Sequence, residues 1–134
     1  MSRAEKALEL REKGYNCCQC TVCAFAEELD ADYKTVFKCA EALGAGMGGM
    51  EGLCGAVSGA AMVIGLKNST ANLEKPDSKA SSCQMSKELL AEFVKKNGSA
   101  VCKDLKGTET GKALRSCPDC IRDAVELTEK ILNI

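Results

Sequence analysis

Apolar positions along the chain recur with helical spacing. Cys18, Val22, Phe25 and Leu29 stand at i, i+4, i+7 and i+11, one face of a helix that Asn16 caps. Upstream, Ser2 and Glu5 form a capping box, and Ala4, Ala7, Leu8 and Leu10 carry a first helix as far as Gly14. A third helix follows Asp30, with Tyr33, Val36, Phe37, Ala40 and Leu43 inward and Gly44 as its stop. A fourth starts at about Leu53 or Cys54 and runs to Leu66. The polar stretch 67–77, with Pro76, makes a surface connection. Asp77 caps a fifth helix, in which Leu89, Leu90, Phe93 and Val94 mark the buried side and Gly98 the end. A short turn at Val101, Cys102 and Leu105 precedes a loop with Gly107 and Gly111. Ser116 and Asp119 cap the last helix, whose inner face is Ile121, Ala124, Val125, Thr128 and Leu132. No useful stretch alternates with period two, so strands are not expected. There is no repeat, linker or low-complexity tail. The pattern predicts one all-α domain over residues 1–134, an antiparallel bundle of about five to six helices.

Composition narrows the chemistry more than the fold. A chain of 134 residues is long enough for one real core. A net charge of -1 and a pI near 5.6 give no reason to expect nucleic acid or an anionic membrane as partner. The longest apolar run, Leu53 to Leu66, falls short of the roughly 20 residues that cross a bilayer. Histidine is absent, which removes Ser–His and Cys–His dyads, imidazole ligands and imidazole bases. Sulfur, carboxylates and lysine remain. The ten cysteines do not read as a secreted disulfide framework. The opening MSRAEKALELREKG lacks the apolar core of a signal peptide, and the aliphatic content needs no staples. A reducing cytoplasm is the expected setting, and there such a chain points to metal binding or redox work.

Placement singles out particular thiols. Cys17 follows the Asn16 cap, Cys54 follows a run of glycines beginning at Gly44, and Cys117 follows Ser116. All three are expected in first helical turns, where free N–H groups and the helix dipole favour a thiolate. So many glycines need a reason, since glycine loses the most entropy on folding. The reading is that they shape a loop around Cys54, with Gly52 at positive φ and Gly55 admitting a close approach. Cys117-Pro118-Asp119-Cys120 is a CxxC at a helix start, the local arrangement of thioredoxin-like motifs without the strand context of that fold. The run Cys17, Cys20, Cys23 is similar to an iron–sulfur run but has Glu27 where the fourth cysteine belongs. On the helix wheel Cys20 and Cys23 turn progressively away from the apolar face, which suits small surface or boundary residues at least as well as ligands. Cys39 and Cys83 lie mid-helix, where packing is the default. The two CxxC sites lie on helices rather than in the tight knuckles of a zinc ribbon.

These residues resemble the C_GCAxxG_C_C family of small redox proteins from bacteria and archaea, named for its cysteine pattern. Gly14-Tyr15-Asn16-Cys17 is similar to its first cysteine motif, and Gly52-Leu53-Cys54-Gly55-Ala56-Val57-Ser58-Gly59 to its glycine-rich centre. That centre reads C-G-A-x-x-G here, where the family name has G-C-A-x-x-G. Gly98 to Leu105, with Cys102, and then Cys117 resemble the third and fourth sites. The resemblance implies that Cys17, Cys54, Cys102 and Cys117 act together, and it carries nothing to Cys18, Cys20, Cys23, Cys39, Cys83 or Cys120. Similar domains attached to electron-transfer proteins add an iron–sulfur cluster to the expectations.

Two functions from different classes follow. The first is a redox protein, an oxidoreductase or electron carrier, in which Cys54 or Cys17 attacks a partner disulfide and Cys117 or Cys102 resolves it. In its cluster form the same four cysteines hold iron–sulfur or zinc. The second is a non-catalytic zinc or structural helical module. Gly52 and Gly55 are the expected cofactor-side backbone positions. A redox partner protein is expected, and a homodimer is compatible with the sequence.

Overall fold

The computed structural model describes residues 1–134. It contains seven right-handed α-helices: α1 (Arg3–Glu12), α2 (Cys17–Cys23), α3 (Tyr33–Ala40), α4 (Gly55–Asn68), α5 (Lys79–Asn97), α6 (Cys102–Lys106) and α7 (Cys117–Leu132). There is no strand. A single antiparallel bridge between Leu53 and Val101 is the only sheet-like pairing. The expected all-α architecture is therefore observed, and the chain-wide core gathers 26 buried residues into one cluster. No helix is long and apolar enough to cross a membrane.

α2 is the axle of the molecule. It packs chiefly against α4 and is also enclosed by α1, α3 and α7, while α4 reaches α5 and α7. That enclosure corrects the expectation for Cys20 and Cys23. Both are 0% exposed, as are Cys18 and Thr21, because neighbours cover every side of this helix. The pattern over Cys18, Val22, Phe25 and Leu29 is buried throughout, yet the helix ends at Cys23 and a 3₁₀ turn over Ala26–Glu28 carries the last two inward. α2 and α4 meet backbone to backbone: a Cβ on Gly59 would lie 2.6 Å from the Cys18 carbonyl oxygen. The small residues of α4 serve that approach.

Three caps form as the residue types dictate. Ser2, Asn16 and Ser116 accept from the N–H groups of Glu5, Gln19 and Asp119, which start α1, α2 and α7. Other boundaries shift. Asp32 rather than Asp30 caps α3, and Ser78 rather than Asp77 precedes α5. Asp77 instead accepts from the Thr70 hydroxyl and braces the preceding loop. Leu90, Val94 and Tyr33, expected inside, are 41%, 37% and 38% exposed. Cys39 and Cys83, expected to pack, are exposed on the surfaces of α3 and α5.

Candidate functional site

The starts of α2, α4, α6 and α7 converge on a cavity of about 390 Å³. Cys17, Cys54, Cys102, Cys117 and Cys120 line it. The four thiols singled out in the sequence thus share one site, and Cys120 is an addition to them. Its signal was the CxxC spacing, which puts Cys117 and Cys120 on one side of α7 a single turn apart.

Local chemistry fixes each sulfur. The Asn16 side chain accepts from Gln19 N–H at 2.8 Å, and Gln19 Oε1 accepts from Asn16 N–H at 3.0 Å, a reciprocal cap that leaves Cys17 as the first residue of α2. The Leu53–Val101 bridge holds two more. Cys54 N–H donates to the Ala100 carbonyl at 2.7 Å, and Cys102 N–H donates to the Gly52 carbonyl at 3.0 Å. Cys54 is consequently the N-cap of α4 rather than a residue of its first turn. The Ser116 cap and Pro118 begin α7 at Cys117.

The glycine-rich segment has a different centre from the one expected. Ala45, Gly46, Met47 and Gly48 take φ of 53°, 58°, 64° and 86°, a left-handed turn closed by Gly48 N–H on the Gly44 carbonyl at 2.9 Å. L-residues enter this region at a cost of roughly 1–2 kcal/mol each. The turn brings the Ala45 backbone to the Cys17 sulfur, where it favours the thiolate. A Cβ on Gly46 would lie 2.5 Å from Cys102 Cβ, and one on Gly55 would lie 2.3 Å from Cys17 Sγ. The glycines therefore make room for Cys17 and Cys102 more than for Cys54. Gly52 is not at positive φ, contrary to expectation; its backbone links Gly46 to Cys102. Neither Gly52 nor Gly55 lines the cavity, so both shape the wall from behind.

The thiols titrate as two pairs. The neighbouring Cys117 thiol is the largest influence on Cys17; burial opposes it, and the backbone of Ala45 and Cys18 assists, leaving Cys17 at about 6. The Cys17 sulfur, with burial, pushes Cys117 well above its ordinary value. Cys54 is lowered in the same way, by the Cys120 thiol first and, against burial, by the backbone of Ala56 and Val57. Cys120 rises correspondingly. Cys102 is raised by burial, with Lys106 opposing. Cys17 and Cys54 are thus each lowered beside a neighbour, Cys117 and Cys120, that is raised. Cys54 is lowered in the direction expected for it, but it is buried, whereas Cys17 and Cys117 are the half-buried sulfurs of the cavity.

No group of three or more cysteine, aspartate or glutamate side chains is arranged to hold a metal ion. The donor set is soft and rich in sulfur, yet it is not gathered on one centre. All ten cysteines are free thiols.

No curated protein and no solved structure matches the chain. A family model described as "Putative redox-active protein (C_GCAxxG_C_C)" matches residues 15–131, a span that contains all five cavity cysteines. On that match, with the paired thiols at its centre, the chain belongs to the C_GCAxxG_C_C family of proteins described as redox-active.

Proposed function

We propose that this protein carries out thiol–disulfide exchange, with Cys17 as the attacking sulfur and Cys117 as the resolving one. The observation that carries the reading is the placement of two half-buried thiols, Cys17 and Cys117, each opening a helix and both lining one cavity; it is supported by the lowering of Cys17 to about 6 beside Cys117. A thiolate near neutral pKa is the effective nucleophile in such exchange. Cys17 S⁻ attacks one sulfur of a disulfide R–S–S–R′. The Cys17–S–R bond forms, the S–S bond breaks, and R′–S⁻ leaves. Cys117 then gives up its proton, which the departing thiolate takes, and attacks the Cys17 sulfur. A Cys17–Cys117 disulfide forms and R–S⁻ departs. The bound disulfide is reduced to one thiol and one thiolate while the protein's thiolate and thiol are oxidised to a disulfide, and a dithiol from a small molecule or a redox partner protein resets the site. Cys54 and Cys120 form a second pair of the same kind, more deeply buried and therefore second to react.

Ligation of iron–sulfur or zinc by Cys17, Cys54, Cys102 and Cys117 draws on the same cavity, but no three of these sulfurs are arranged around one centre. No step here runs through a metal.

A trapping experiment tests the exchange. In a Cys39→Ser/Cys83→Ser background, which removes the exposed thiols, the protein is pulsed with bis(2-hydroxyethyl) disulfide and mapped by mass spectrometry. The expected product is a Cys17–Cys117 disulfide, replaced in Cys117→Ser by a lasting mixed disulfide on Cys17. If Cys117→Ser accumulates no adduct on Cys17, or if anaerobically purified protein carries stoichiometric iron with sulfide or zinc on these cysteines, the exchange reading is overturned.

A further inference from the structure

We propose that the cavity takes small disulfides that carry carboxylates; this substrate class rests on the exchange reading above. Every ionic side chain in the cavity wall other than the thiols is a cation, Arg11, Lys106 or Arg115, and no aspartate or glutamate lines it. The whole chain carries 19 acidic and 18 basic residues, so this wall does not mirror the composition. Arg115 is committed, since its Nε and a terminal nitrogen donate to the buried Asp123 at 3.0 and 3.1 Å. Arg11 and Lys106 make no ion pair in the structure. Both act on the sulfurs: Arg11 favours the Cys117 thiolate and Lys106 that of Cys102. Uncharged donors on the same wall are already engaged, the Asn16 amide with the Glu41 carbonyl and the Tyr15 hydroxyl with that of Tyr33. The two cations are therefore the groups left to orient a ligand. A cavity of about 390 Å³ has the size of a small-molecule site. Attack consumes the charge of the Cys17 thiolate, which leaves Arg11 and Lys106 facing the substrate's carboxylates and its departing thiolate.

Two measurements separate this inference from the exchange reading. The first alkylates Cys17 with iodoacetate and with iodoacetamide, reagents of the same reaction and different charge, in the folded protein and in the urea-unfolded chain. The ratio of the two rates cancels the thiolate fraction and needs no resolving cysteine. At low ionic strength the folded ratio of iodoacetate to iodoacetamide is expected to exceed the unfolded ratio by about tenfold, the lower range for a cleft of one sign. Salt should shrink that excess, and Lys106→Gln and Arg11→Gln should each reduce it. A folded ratio no greater than the unfolded one overturns the inference whatever the disulfide chemistry does. The second measurement offers Cys117→Ser either 3,3′-dithiodipropionate, a dicarboxylate, or the neutral bis(2-hydroxyethyl) disulfide. Faster adduct formation on Cys17 with the dicarboxylate supports the substrate class. Equal rates overturn it while exchange stands, and no adduct from either reagent overturns the exchange reading and this substrate with it.

Discussion

A thiol ordinarily holds its proton at neutral pH, with a pKa of about 8.5, and burial alone would hold it more firmly. Cys17 departs from this because separate parts of the chain reach one sulfur: the Cys117 thiol from α7, the Ala45 backbone from the left-handed turn, and the start of α2 itself. Its alkylation rate should therefore rise with pH around a midpoint near 6 and level off by neutrality. Below the midpoint the sulfur is protonated and slow; above it the thiolate dominates. In the urea-unfolded chain the midpoint should return to about 8.5. Cys117→Ala removes the neighbouring thiol and should move the folded midpoint upward, while Cys117→Ser, which keeps a hydroxyl, should move it less. A midpoint indifferent to Cys117→Ala would show that the pair is not coupled. At this scale the sequence was partly legible. Capping residues pointed locally to Cys17 and Cys117, and the glycine run to Cys54, which proves to be the N-cap of α4. The partnership of Cys54 with Cys120 had no such signal, since it depends on how α4 and α7 meet. Cys20 and Cys23 were misjudged for the same reason: a helix wheel assumes a solvent side, and α2 has none.

Between elements, the contact that decides the site is the approach of α4 to α2. Gly55 begins α4 so close to the head of α2 that a Cβ there would lie 2.3 Å from Cys17 Sγ and 3.2 Å from both Cys18 N and the Leu43 carbonyl oxygen. With backbone on two sides, the added methyl must push the sulfur or part the helices. Gly55→Ala should cost about 1–3 kcal/mol as overpacking, exceeding the roughly 1 kcal/mol that alanine gains as a helix former, and should slow Cys17 alkylation at neutral pH. Gly65 lies in the same helix with nothing within 4 Å of its added Cβ. Gly65→Ala should therefore be stabilising by up to about 1 kcal/mol and leave Cys17 reactivity unchanged. Thermal melts with alkylation rates of both variants check the contrast, and a neutral Gly55→Ala with normal Cys17 kinetics would contradict the packing argument. Glycine frequency made this segment conspicuous, but its conformation was hidden. Ala45 and Met47 take left-handed φ without any residue type that favours it, a conformation the surrounding packing imposes. Helices with polar caps were legible to within a few residues. The break after Cys23 was not, because the 3₁₀ turn keeps Phe25 and Leu29 buried just as a continued helix would.

Across the molecule, the reactive pair joins an early helix to the last one. Cys17 opens α2 and Cys117 opens α7, with α3 to α6 between them. Oxidising this pair would close a loop on the order of 100 residues, for which chain entropy alone gives nearly 5 kcal/mol and typical disulfides deliver about 2–4 kcal/mol. Cys17 and Cys117 already line the same cavity in the native structure, so the two sulfurs start on facing walls. What is lost on oxidation is the preference of the folded state for the Cys17 thiolate, which offsets part of the gain near neutral pH. The oxidised protein should thus resist unfolding by about 2–4 kcal/mol less that offset, and melt several degrees higher than the reduced form. The measurement is a pair of melts, after stoichiometric oxidation and after reduction, in the Cys39→Ser/Cys83→Ser background so that surface thiols do not cross-link molecules. Adding Cys17→Ser and Cys117→Ser should remove the part of the redox difference that this pair supplies, leaving only what Cys54 and Cys120 contribute. An oxidised form that contains the Cys17–Cys117 bond yet melts at or below the reduced form would mean that joining these sulfurs strains α2 against α7, and that the pair is poised to be reduced rather than to reduce.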